Sequence, residues 1–368
     1  MFIIIVEWLK AHQIEMGFFR LLEYPIFRLL MALGTSMGFT LIWGFKIIVF
    51  LYKKRMKDTS GDFLDIAATG KKGTPTGGGL MILLFTSLSV LLWGDFSSPF
   101  LFALLFGMLS MGLTGFIDDY LKVRFKSSLY GMSRKMKTLF QFIFILPFLW
   151  FFLSKSSPIP ADIQCVVYLP FHKNPVFDLH PWLFSLFFIV AMYAICNSVN
   201  ITDGKDGLSA GTTSVSLAVF AVFAFVIGRV DTADFLIFPH VEGAIEISVF
   251  LAALIGGIAG FLWYNAYPAE VFMGDTGSLA IGMAAGLSVF FIKQEMLFPI
   301  VGGVFVVHNF TSLVQDYYLR KKGRRFFHRA PFHHELTHMG MAEPKVAVRL
   351  WIVSFVLAVI GLLSLKIR

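Results

Sequence analysis

Five short polar clusters interrupt an otherwise apolar chain, and their residue types suit phosphate and metal chemistry. In Gly115-Phe116-Ile117-Asp118-Asp119-Tyr120, adjacent carboxylates close a long apolar run. They could hold Mg2+, which takes hard oxygen ligands and shares them with substrate phosphates, or simply mark a solvated helix end. Asn197-Ser198-Val199-Asn200-Ile201-Thr202-Asp203-Gly204-Lys205-Asp206-Gly207-Leu208 packs carboxylates, amides and turn glycines into one connection, where a neutral turn would join two helices equally well. Asn265-Ala266-Tyr267-Pro268 is followed by Phe272-Met273-Gly274-Asp275-Thr276-Gly277-Ser278, whose Asp275 has no basic residue in its own loop and suits a bound cation.

The remaining two clusters are basic. Lys71-Lys72-Gly73-Thr74-Pro75-Thr76-Gly77-Gly78-Gly79 could aim backbone N–H groups and a lysine at phosphate, or serve as a flexible linker. The segment from Arg320 to Lys345 contains Ala330-Pro331-Phe332-His333-His334-Glu335-Leu336-Thr337-His338. Within it, His334-Glu335-Leu336-Thr337-His338 matches the H-E-x-x-H pattern of zinc proteases literally. So short a match arises easily by chance, and a protease would leave the other clusters unused.

The elements that must position these clusters are membrane helices. Of 368 residues, 57% are apolar and only 15% charged, against roughly 25% for a soluble protein. A mean hydropathy of +0.75 agrees. Ten apolar runs can cross about 30 Å of hydrocarbon: 24–52, 78–93, 100–117, 138–154, 182–198, 210–227, 247–264, 279–292, 298–319 and 347–365. Such runs exclude barrel strands, so the expected fold is a single all-α membrane domain over 1–368, a bundle of about ten transmembrane helices. The alternate loops that carry the five clusters hold 20 Lys and Arg, and the opposite set with both termini holds 8. The positive-inside rule places the clusters in the cytoplasm and both termini outside. The net charge of +8 follows from this asymmetry and from anionic headgroups, not from nucleic-acid binding. Cys165 and Cys196 fall on opposite sides of the membrane and cannot pair. The long loop 155–181 predicts a small hairpin between Cys165-Val166-Val167-Tyr168 and Val176-Phe177. The apolar N-terminus, soon broken by Glu7 and Lys10, reads as interfacial and not as a signal peptide.

Taken together, the motifs KKGTPTGGG, GFIDDYLK, NITDGKDGL, NAYPAEVFMGDTGS and APFHHE, with a closing EPKVAVRLWI, resemble the phospho-N-acetylmuramoyl-pentapeptide-transferase family in order and spacing. The resemblance implies transfer of phospho-MurNAc-pentapeptide from its UDP carrier to undecaprenyl phosphate, giving lipid I and UMP, with Mg2+ as cofactor. It further implies a bacterial cytoplasmic membrane enzyme and a homodimer. Residue by residue, Asp118 and Asp119 match the family's aspartate pair and Asp275 its Mg2+ ligand. Asn200, Asp203, Asp206, Asn265 and Phe272 match the nucleoside and phosphate pocket, with Phe272 available to stack on uracil. Lys71, Thr76, Lys122 and Gln315 match substrate contacts. His333 and His334 match the first two members of a histidine triplet whose third is Glu335 here, and His308 stands where the family carries Glu.

Elementary chemistry agrees. Exchanging one pyrophosphate linkage for another mainly requires neutralised charge and reactants held in line. A phosphate monoester is largely ionised at neutral pH, so Asp118 need not be a strong base. Direct attack and a covalent aspartyl-phosphate route both remain open. A transporter would place charges at helix midpoints and break its helices, whereas these acids cluster at one face. A sister transferase acting on UDP-N-acetylglucosamine would share the aspartates but differ at the APFHHE loop.

Overall fold

A computed structural model describes residues 1–12, 17–56, 73–125 and 131–367. Along the chain, α1 (Phe2–Ala11) and a 3-10 turn (Gly17–Glu23) precede α2 (Pro25–Lys53), α3 (Gly79–Trp93), α4 (Pro99–Arg124) and α5 (Arg134–Leu153). Two short strands follow, β1 (Val166–Val167) and β2 (Phe177–Asp178). Next come α6 (Pro181–Thr202), α7 (Leu208–Ile227), α8 (Val230–Leu236), α9 (Ile245–Asn265) and α10 (Gly274–Phe291). The chain ends with α11 (Phe298–Val301), α12 (Gly303–Lys322), α13 (Phe332–His338) and α14 (Glu343–Leu363).

The all-α expectation holds. Among the described residues, eight helices are long and apolar enough to span a bilayer: α2, α4, α5, α6, α7, α9, α10 and α14. A ninth span is broken: Glu295–Val301 and Gly303–Lys322 meet at 84°, where 298–319 reads as one straight helix in the sequence. The break falls at Gly302-Gly303, where no side chain supports a continuous helix. A broken helix is what the transporter reading expects, but the acids still gather at one end of the bundle. The tenth element, α3, is apolar but only 15 residues long, short of the roughly 20 that a full crossing needs.

Proline at the first turn starts α2, α4, α6 and α14, where its missing N–H costs nothing. Helix α10 is the axis of the bundle, 89% buried across its span, and packs on α4 and α6; α2 and α5, 22% buried, form the lipid-facing periphery. Small residues along α10 permit this. A side chain at Gly282 would meet the backbone of Cys196, and one at Gly286 would meet Met192. At the end away from the motif clusters, the buried Arg28 and Glu246 pair at 2.6 Å and join α2 to α9. The predicted hairpin forms there, antiparallel with Val166 opposite Asp178 and Val167 opposite Phe177. Cys165 and Cys196 are both free thiols.

Candidate active site

Four of the five sequence clusters converge where the C-terminal ends of α4 and α6 meet the N-terminus of α10. Of the fifth, Lys71 and Lys72 lie outside the described residues, while Thr76 is in place. The helices run further than the hydropathy pattern suggests, so Asp118 and Asp119 lie inside the last two turns of α4, each only 2% exposed. Close approach brings α4 onto α10: a Cβ at Gly115 would lie 2.1 Å from the Asp275 carbonyl oxygen.

The two adjacent aspartates point to different neighbours, as successive positions on a helix must. Asp119 faces the start of α10. One carboxylate oxygen accepts the Asp275 N–H at 3.1 Å, and the other accepts the N–H and hydroxyl of Thr276 at 3.0 and 2.7 Å. A carboxylate is thus bound to the positive end of the central helix. Gly274 makes room with φ of +72°; a Cβ there would meet Asp119 Oδ2 at 2.5 Å and Thr76 Oγ1 at 2.9 Å. Thr76 therefore borders the same point, and the Pro75–Gly79 strip is pinned to it by Phe272 N–H donating to Pro75 O and Gly78 N–H to Phe272 O.

Asp118 faces the cleft. Its Oδ2 pairs with Lys122 Nζ at 2.7 Å, and it comes within hydrogen-bonding reach of Asp275. Asp275 is the hub. Its Oδ2 accepts from Lys122 at 2.8 Å and Lys137 at 2.6 Å, and its Oδ1 from Asn200 at 2.6 Å, which also reaches Ser278. The sequence leaves Asp275 without a basic neighbour in its own loop; in the fold, two lysines arrive from other elements. Two carboxylates in contact need cationic compensation, and here ammonium groups supply it. The same hard-oxygen pair fits Mg2+, which needs only one or two carboxylates when substrate phosphates complete its shell.

Asp203, just beyond α6, is half-buried in the cleft. Burial first, then the charges of Asp275, Asp119 and Asp206, push its pKa up to about 8. Asp206 and Asn265 act as ties between loops. Asp206 accepts the Ala269 N–H at 3.1 Å, while Asn265 accepts from Gly207 N–H at 2.9 Å and donates to Val271 O at 2.8 Å. The closing motif completes the framework: Glu343 accepts the Asp206 N–H at 3.2 Å and Trp351 donates to Gly207 O at 3.2 Å.

The last polar segment roofs this loop. His333 is fully buried on α13, both ring nitrogens lack a protein partner, and its ring lies 4.8 Å from His308 and 4.4 Å from His334. Burial, and then the positive charge of neighbouring rings and Lys205, holds its pKa well below the usual imidazole value. His308 in turn contacts the Thr202 hydroxyl at 3.0 Å. Gln315 does not reach the cleft through its carbonyl, which accepts the Phe326 and Phe327 N–H groups at 3.1 and 3.0 Å and shapes the segment before α13. A zinc-protease geometry is not formed. Among the described residues the one group spaced for a metal is His328, Glu335 and His338, with Glu335 as a ligand and His334 outside it.

Beside the cleft of carboxylates and lysines, between α2, α3 and α4, lies a cavity of about 1130 Å³. Phe50, Leu80, Leu83, Leu113 and Phe116 line it, Lys54, Arg55 and Arg124 stand at its rim, and it reaches Thr276.

Sequence reasoning does not single out Lys137, Thr276, Ser278 or Glu343 as site residues. Lys137 sits in the basic run Arg134-Lys135-Met136-Lys137 that forms the first turn of α5, which reads as a positive-inside signal. Only the fold shows that one of these charges points inward.

Residues 101–293 match the glycosyl transferase family 4 profile. A protein of Ruegeria sp. (strain TM1040) named phospho-N-acetylmuramoyl-pentapeptide-transferase is 40% identical over 363 residues, covering 98% of this chain and 99% of its own length. Identity at this level along the whole length, with the motif clusters gathered into one cleft, shows that the chain belongs to the phospho-N-acetylmuramoyl-pentapeptide-transferases within glycosyl transferase family 4.

Proposed function

We propose that this protein transfers phospho-MurNAc-pentapeptide from UDP-MurNAc-pentapeptide to undecaprenyl phosphate at the cytoplasmic face of the bacterial inner membrane, releasing UMP and forming lipid I. The observation that carries this reading is the meeting of Asp118, Asp275, Lys122 and Lys137 next to an apolar cavity with a basic rim. A prenyl phosphate has the matching form, an apolar tail with a dianionic head. The acceptor enters laterally along α2–α4 with its phosphate at the rim, while the nucleotide donor enters from the aqueous side beneath α13.

An oxygen of the prenyl phosphate attacks the β-phosphorus of the donor, and the bond to the UMP oxygen breaks. The residues supply position and charge. Lys122 and Lys137 are released from Asp275 to the diphosphate oxygens, where they offset charge on the transferring group. Asp275, with Asp118 beside it, would hold Mg2+, which when bound would supply positive charge to offset that of the phosphates. Asp119 keeps the N-terminus of α10 aligned with the reacting centre. The acceptor arrives largely ionised, so Asp118 serves chiefly to place charge.

The test is UMP release by detergent-purified protein with undecaprenyl phosphate and Mg2+, offering UDP-MurNAc-pentapeptide or UDP-N-acetylglucosamine. Turnover of the pentapeptide donor, abolished by EDTA and restored by Mg2+, is the expected result. Turnover of the glucosamine donor alone, or turnover indifferent to EDTA, would overturn the donor or the metal assignment respectively.

A further inference from the structure

We propose that His328, Glu335 and His338 form a binding site for a divalent transition metal of the zinc class, outside the phosphate cleft. One ligand atom from each residue lies within 4.8 Å of those of the other two. Glu335 and His338, three apart on α13, project from the same side of the helix. His328 reaches them from the preceding segment, its Nδ1 2.9 Å from Glu335 Oε1, and its ring stacks on His338 with centroids 5.2 Å apart and planes within 13°.

The donors suit the metal. Two imidazoles and one carboxylate favour zinc-type ions over Mg2+, and three ligands leave a fourth position for water. Glu335 is already held ionised, first by the Arg329 N–H and then by His328, which lowers its pKa. Ligands around tetrahedral zinc stand about 3.3 Å apart, given bonds of 2.0–2.1 Å. The rings must therefore close in by an ångström or so. Both are at the surface, His328 with 77% of its side chain exposed, so no core packing opposes that movement. The cluster uses Glu335, the residue that departs from the family's histidine triplet, and it is not a zinc-protease site because His334 is turned toward His333.

A metal here would clamp the segment ahead of α13 onto α13 itself. His333, on the buried side of that helix, would then be fixed above the Asp203-Gly204 turn, so occupancy stiffens the roof of the cleft without entering it.

The experiment is zinc titration of the full-length protein in detergent against a chromophoric chelator. Millimolar Mg2+ is present throughout so that the carboxylate cleft does not report. We expect one zinc per chain with micromolar affinity, weakened more than about tenfold in H328A and in H338A and unchanged in H334A. A second readout needs no variant: zinc should slow trypsin cleavage after Arg329 in the wild-type protein. The proposal is overturned if the H328A/H338A double variant binds as much zinc as wild type, if H334A alone abolishes binding, or if zinc leaves the cleavage rate unchanged. Neither readout depends on transferase activity.

Discussion

Asp119 accepts both the backbone N–H and the hydroxyl of Thr276, at 3.0 and 2.7 Å, so a carboxylate within the last turns of α4 holds the first turn of α10. Asp118, one residue away, makes no contact with the α10 backbone: its Oδ2 pairs with Lys122 in the cleft and its Oδ1 accepts the Met132 N–H, a bond that an asparagine Oδ1 can keep. The aspartate pair thus divides into a positioning residue and a charge-placing residue. Asp119→Asn would turn an amide N–H toward buried N–H donors, at a cost of about 1–3 kcal/mol. We expect it to lower the thermal midpoint and the turnover together, whereas Asp118→Asn should lower turnover and leave the midpoint unchanged or raised. Thermal unfolding in detergent, run beside the UMP assay, separates the two; equal midpoint losses would refute the division.

Lys137 and Lys122 share one oxygen of Asp275, at 2.6 and 2.8 Å. A lysine bonded to the proposed metal ligand would compete with the metal. Lys137→Met is therefore expected to reduce the Mg2+ concentration needed for half-maximal activity while lowering kcat by roughly a hundredfold, the scale of losing one group that offsets transition-state charge. A Mg2+ titration of activity checks both effects, and an unchanged or raised Mg2+ requirement would show that the lysine and the metal do not compete.

Asp203, pushed up to about 8 by burial and by the surrounding carboxylates, gives the apo-protein a signed pH dependence. An unfolded aspartate titrates near 3.9, so between that value and about 8 the native state holds a proton that the unfolded state has lost. Its contribution to stability must fall as pH rises through that window and level off above it. Asp203→Asn removes the effect. In EDTA, the variant should gain more thermal stability over wild type at pH 8 than at pH 5; an equal gain at both would place the Asp203 proton elsewhere.

Gly204 has a close neighbour in His333: a Cβ at this position would lie 2.4 Å from Nε2 of a fully buried ring. Gly204→Ala must displace either the Asp203 turn or α13. The expected result is a tenfold or larger rise in KM for the nucleotide donor, on the order of 1.4 kcal/mol or more, together with reduced stability. The companion change His333→Ala in the same chain should restore stability but not donor affinity, since it opens the space while removing the imidazole. Restoration of neither would show that the contact is not the cause.

The aspartates and amides were legible in the sequence because charged groups at the end of an apolar helix demand a reason, and the hairpin because β-branched and aromatic residues flank a proline-containing turn in a long connection. Their division of labour was not. Nothing local in Asp118-Asp119 says which faces α10 and which faces Lys122, because helix phase acquires meaning only against a packed neighbour. Lys137 was hidden for a related reason: inside a basic run, one inward lysine looks like its outward companions. Asn265 and Asp206 read as ligands, yet their polar atoms are engaged in tying loops together, a role fixed by backbone groups distant in sequence. The bend at Gly302-Gly303 escaped the hydropathy pattern, which registers apolar length but not direction.

The cavity between α2, α3 and α4 makes its own prediction, because its apolar wall suits the tail of the proposed lipid acceptor. Leu80 lines it next to the start of α3, and Arg124 stands at its rim. Leu80→Trp should occupy part of the space and raise KM for undecaprenyl phosphate roughly tenfold, about 1.4 kcal/mol, with KM for the nucleotide donor unchanged. Arg124→Gln should weaken the same substrate through its headgroup, and this weakening should fade in high salt because an exposed charge is screened within about a Debye length. A short-chain prenyl phosphate separates tail from head. It makes few contacts with the wall, so Leu80→Trp should affect it little while Arg124→Gln affects it fully. Acceptor kinetics with long and short chains measure both, and equal sensitivity of the two chain lengths to Leu80→Trp would move the tail out of this cavity.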